Sequence, residues 1–76
     1  MDKSLAQCFR EVFEELEKGE FFHGREIRNA TVVKYYKTTG NNADPYVDTI
    51  LRYLRMNYPN RYELVDRHDS LYRKLY

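Results

Sequence analysis

With Cys8 as its single cysteine, the chain can form no internal disulfide, and a reducing, intracellular setting is expected. No apolar run is long enough to span a bilayer and no secretory leader is visible, so neither a membrane anchor nor export is expected. Histidine is scarce. His23 and His68 lie far apart in sequence, and neither sits at a metal-ligand spacing. There is no glycine-rich loop of the kind that cradles phosphate. Cys8 falls on an apolar helical stripe, which suits a small core hydrophobe rather than a nucleophile. The carboxylates of Glu11, Glu14, Glu15 and Glu17 spread along what reads as a solvated helix face. Seventy-six residues make one domain with a modest core and little room for a dry pocket. These absences argue against an enzyme, and no catalytic residue, metal or cofactor is expected. There is also no internal repeat, no low-complexity tail and no heptad run.

A strong excess of one charge is missing as well, since the formal net charge is +1. Its distribution is less even. From Met1 to Glu20, three Lys/Arg face six Asp/Glu, a balance of −3; the remainder carries ten against six, a balance of +4. An acidic first segment and a basic remainder suggest one face turned away from an anion and another turned toward it.

The most plentiful apolar material is aromatic, with eight Tyr and four Phe. Tyrosine suits a thin core because its ring can be buried while its hydroxyl stays wet. Leu5, Cys8, Phe9, Val12, Phe13 and Leu16 recur at helical spacing, so a first helix is read over 4–18, with Ser4 as N-cap and Gly19 as its left-handed stop. Phe21 and Phe22 are too apolar for an idle connector. At least one is expected to plug the core, and two or three residues here suit a short strand.

A second helix is read over 24–36, with Ile27, Ala30 and Thr31 inward and Arg25, Arg28 and Lys34 outward. Its end is open. Thr31, Val32 and Val33 are β-branched, Val32 and Val33 do not both suit one helix face, and an end near Thr31 is the alternative. Residues 37–43 have loop chemistry. A third helix is read over 45–58, with Asp44 capping and Pro45 at its first position. Its inner face is Val47, Ile50, Leu51, Leu54 and Tyr58; its outer face is Thr49, Arg52, Tyr53, Arg55 and Met56. Pro59 and Asn60 break it. Two strand-like runs, 61–66 and 70–76, flank a polar turn and read as a β-hairpin that must pack on the helices.

Helix, connector, helix, loop, helix, hairpin is an α+β, mainly α order. The stretches Phe22-His23-Gly24-Arg25-Glu26-Ile27, Asp48-Thr49-Ile50-Leu51-Arg52-Tyr53-Leu54-Arg55 and Tyr62…Asp66…Ser70-Leu71-Tyr72 carry a resemblance over nearly the whole chain. The chain resembles the winged helix-turn-helix domains of bacterial and phage regulators and replication proteins. The resemblance implies a three-helix domain with a C-terminal β-hairpin wing that binds double-stranded DNA, as a small transcriptional regulator or replication accessory. The third helix would enter the major groove, with Tyr46 and Thr49 at base edges, Arg52 on guanine or a phosphate and Tyr53 on a phosphate. Arg25 and Arg28 would add charge against the backbone, and Arg67 and His68 at the wing tip would approach a neighbouring groove or the sugar-phosphate edge. A cytoplasmic protein, nucleoid-associated if it binds DNA, is then expected. The same fold also serves as a protein-interaction module, docking a partner on the acidic helix or on Tyr35, Tyr36 and Tyr76. A homodimer is compatible with either reading.

Overall fold

The structure, a computed structural model, describes residues 3–76. Three helices pack on a three-stranded antiparallel sheet in the order α1 (Leu5–Glu15), β1 (Phe21–His23), α2 (Gly24–Thr39), α3 (Val47–Asn57), β2 (Tyr62–Asp66) and β3 (Leu71–Lys74). The α+β class, the helix count and the C-terminal hairpin all agree with the sequence reading. β3 is the central strand, flanked by β1 and β2. The short connector therefore does form a strand, pairing Phe21 with Arg73, Phe22 with Tyr72 and His23 with Leu71.

Each apolar stripe meets at one core. Phe9 and Phe13 of α1, Phe22 of β1, Ile27 of α2, and Ile50, Leu51, Leu54 and Tyr58 at α3 are all buried. Fully burying such side chains contributes about 1.5–3 kcal/mol apiece before entropy is charged against it. The centre is aromatic: Phe13 stacks on Tyr58 at 4.2 Å between centroids and meets Phe22 edge-on at 6.2 Å. Phe22 stacks in turn on Tyr72, so the hairpin joins the core through a ring-to-ring chain. Phe22 is the expected plug; Phe21 is 56 % exposed.

Element ends depart from the periodicity, each for a local reason. α1 starts as expected: Ser4 Oγ accepts from the Gln7 amide and Gln7 Oε1 accepts from the Ser4 amide, a capping box. It stops at Glu15 instead of 18, because the Lys74 ammonium takes the carbonyls of Phe13, Glu14 and Leu16. Gly19 does have a positive φ of 84°, but it serves a turn over 17–20 that feeds β1, and its amide donates to the Lys74 carbonyl.

α2 runs to Thr39, beyond the expected 36, and neither the β-branched run nor the polar residues after it end it. Thr31 is buried and its hydroxyl donates to the Ile27 carbonyl, which removes the cost of hiding it; Thr39 does the same to Tyr35. The stop is Gly40, left-handed at φ 77°. Ala30, expected inward, is exposed. α3 begins at Val47, not 45: Asp44 is drawn to Arg28 instead of capping, and the extended residue before the helix is Tyr46. It ends at Asn57, since Tyr58 precedes a proline and leaves helical geometry. The strands are Tyr62–Asp66 and Leu71–Lys74, shorter than 61–66 and 70–76, with a bulge between Leu64 and Asp66.

Candidate nucleic-acid interface

The surface built by α3, the N-terminal turn of α2 and the hairpin turn is set by one crowded glycine. Gly24 opens α2, and its amide donates to the Ser70 carbonyl at 2.9 Å. A Cβ there would stand 2.7 Å from Ser70 Oγ and 3.2 Å from Val47 Cγ1. The hairpin turn, the start of α2 and the start of α3 thus converge on a point where any side chain would have to push the Ser70 hydroxyl aside. Beside it, His23 Nδ1 lies 3.0 Å from the Asp69 carbonyl, which can only accept, so Nδ1 is the protonated nitrogen. The Glu26 carboxylate accepts from the His23 amide and closes the first turn of α2.

The hairpin turn is itself ordered from within. Asp66 Oδ1 accepts from the amides of His68 and Asp69, and Ser70 adopts a left-handed φ of 51° that returns the chain into β3. Arg67 and His68 are exposed at its tip.

Arg28 braces the other side. Its Nε donates to the Pro45 carbonyl, and its terminal nitrogens reach Asp44 at 2.6 Å and Asn29 at 3.0 Å. The guanidinium is half-buried and spends its donors on fixing the approach to α3. Arg25, by contrast, is exposed. It lines one cleft with Arg28, Asp44 and Tyr46, and a second with His68, Asp69 and Ser70. Val47 floors both, so the two clefts meet at the first turn of α3.

The solvent face of α3 carries Arg52, Arg55 and Asp48, all exposed, and Met56 at 73 % exposure. Arg55 and Asp48 border a third cleft whose opposite wall is Leu64, Arg67 and Tyr72 of the hairpin. Among the described residues, Arg25, Arg52, Arg55 and Arg67 have no ion-pair partner; Asp48 is not bonded to Arg52 although four residues separate them. The acids of α1 are engaged instead: Glu11 by Lys3 and Lys34, Glu15 by Lys34, Glu14 by Arg61.

The eight residues singled out from sequence therefore fall into distinct places. Arg25, Arg28 and Tyr46 share one cleft, and Arg25 and His68 share the next. Arg67 lines the third cleft with Arg55, while Arg52 is exposed on α3 outside that cleft. Tyr46 is 83 % exposed and Thr49 is partly covered. Tyr53 is half-buried against Phe9, at 6.0 Å between rings, on the core rim. Arg55 was passed over, although its place one turn beyond Arg52 and two turns beyond Asp48 marks the hairpin side of α3. The clasp of His23 and Gly24 on the hairpin turn was also missed, because no local pattern announces a contact across 46 positions. Comparison with protein-family models, with curated proteins and with solved structures gives no match.

Proposed function

We propose that this protein is a winged helix-turn-helix domain that binds double-stranded DNA through α3 and the hairpin turn, as a small transcriptional regulator or replication accessory. The observation that carries the reading is the set of unpaired guanidiniums, Arg25, Arg52, Arg55 and Arg67, around α3 and the hairpin. The major groove admits one helix, and α3 offers it the exposed Arg52 and Arg55 with Thr49 partly covered beside them. Asp48 accepts from a cytosine amino group in this arrangement and repels phosphate elsewhere, which sets α3 in register. Arg25 and the hairpin residues Arg67 and His68 supply backbone contacts beside α3, while Arg28 and Tyr53 hold the helix in position.

Fluorescence anisotropy of a labelled mixed-sequence duplex tests the proposal. Binding is expected at low salt, with log affinity falling linearly against log salt at a slope of roughly −0.9 per phosphate contact. Arg52→Ala is expected to weaken binding by about 1–3 kcal/mol if it reads a base, or to lower the salt slope by about one if it grips a phosphate. No binding at low salt removes the proposal. The alternative, a protein-interaction module on the same fold, draws on the half-exposed Tyr36 and Tyr76; it gains if a protein partner binds with nuclease-insensitive stoichiometry and duplex DNA does not.

A further inference from the structure

The inner face of α2 enters the core, yet on its outer side Val33 is 51 % exposed with Ala30 exposed beside it, and neither helix propensity nor the core explains the valine. Along the helix these two sit in a row with Glu26 and Lys37, at steps of four, three and four residues, which is the spacing of a helix–helix seam. Val12 of α1 lines the groove on one flank of the row, and Phe21, 56 % exposed, borders its N-terminal end.

The row is self-complementary. Its midpoint lies between Thr31 and Val32. A two-fold axis there, relating antiparallel copies of α2, sets Glu26 opposite the second copy's Lys37 at both ends and Ala30 opposite Val33 at both inner positions. The charged ends lie ~16 Å apart along the helix, so both pairs close together only in this register. Lys37 has no ion-pair partner among the described residues, and Glu26 uses one oxygen on the His23 amide and leaves the other. The small Ala30 lets the two backbones approach, and Val33 of each copy fills the space above it.

We infer that the exposed face of α2 is an isologous interface with a second copy of this chain, paired antiparallel through Ala30 and Val33 and locked at each end by Glu26 and Lys37. The inference goes beyond DNA binding and does not depend on it. The apolar centre is narrow compared with a stable dimer's interface, so the dissociation constant belongs on the order of 100 µM.

Sedimentation equilibrium of the free protein from ~20 µM to ~1 mM tests it. The average mass is expected to climb from the 9.3 kDa of the monomer toward twice that value. Lys37→Glu sets like charges at both ends and should weaken association at least tenfold. Glu26→Lys does the same alone, but an equimolar mixture of the two variants restores both pairs and should form a heterodimer near wild-type affinity. Circular dichroism checks that each variant is folded; if Glu26→Lys is not, Ala30→Arg, an exposed substitution that blocks the seam, replaces it and should leave a monomer. A wild-type chain that stays monomeric throughout overturns the inference, and so does a dimer that Lys37→Glu or Ala30→Arg leaves unchanged.

Discussion

Lys74 is 5 % exposed, and its ammonium donates to three carbonyls at the C-terminal end of α1 while lying 5.0 Å from the centroid of the Phe13 ring. A helix terminus leaves its last carbonyls without partners and carries partial negative charge, so a buried cation there meets both needs at once. The side chain also ties the last strand to the first helix, 61 positions away. Lys74→Met keeps most of the volume but leaves the Glu14 and Leu16 carbonyls without this donor and the Phe13 carbonyl with the Leu16 amide alone. It is expected to cost about 2–4 kcal/mol in urea unfolding, with an unchanged m value. A loss under 0.5 kcal/mol would mean the carbonyls find water instead. Arg61 performs a related task in the open: its guanidinium pairs with Glu14 at 2.8 Å, donates to the Tyr76 carbonyl and lies over the Tyr58 ring.

At the scale of elements, the clasp at Gly24 sets the angle between the hairpin and α3. Gly24→Ala drives a methyl into Ser70 Oγ and close to Val47. The substitution is expected to destabilise by about 1–3 kcal/mol. Ser70→Gly removes the clashing hydroxyl and suits the left-handed φ, so the double variant should be more stable than the sum of the two single effects, measured as a non-additive double-mutant cycle. Strict additivity would show that the Ser70 hydroxyl is not what a methyl at position 24 meets. This clasp also marks where the sequence stops being readable. α1 and α3 were legible because their apolar residues keep a 3.6-residue period that one buried face imposes. Their ends were not, because Lys74 supplies the stop of α1 and Arg28 diverts the expected cap of α3, and both act from elsewhere in the chain. Thr31 is legible as an inward residue of α2, but the end of that helix is not, because the i−4 hydrogen bonds of Thr31 and Thr39 that let it run on appear only in the folded chain. Of the site, the outward arginines of α3 were legible by spacing; the tethering of Arg28 and the packing of Tyr53 were not, since both depend on tertiary neighbours.

For the whole molecule, the pH dependence of stability follows from the ion pairs between α1 and its neighbours. The bond from Lys3, aided by Lys34, holds the Glu11 carboxyl below its ordinary 4.5. A carboxyl depressed by folding stabilises the native state above its unfolded value, and that contribution is lost as pH falls through the folded one. The Lys34 ammonium is held above its ordinary 10.5 by the bond to Glu15, so its contribution is complete below that value and lost as pH climbs through the folded one. Melting temperature should therefore fall as pH drops below the ordinary 4.5 of Glu11, and fall again at alkaline pH, where Cys8 and Tyr58, whose pKa values burial raises, add to the loss from Lys34. Lys34→Met should flatten both shoulders, and added salt should shrink them because these pairs are on the surface. A pH profile identical in the variant and the wild-type chain would remove this network as its cause.

The proposed DNA binding requires α3 and the hairpin turn to face one duplex together. Amide chemical-shift mapping of the labelled protein, titrated with a duplex of mixed sequence at low salt, tests it most directly. The largest perturbations are expected over residues 46–56 and 66–70 and at Arg25, with the solvent face of α1 around Glu11 and Glu15 unmoved. Shifts confined to the outer faces of α1 and α2, or a spectrum unchanged at saturating duplex, would contradict it.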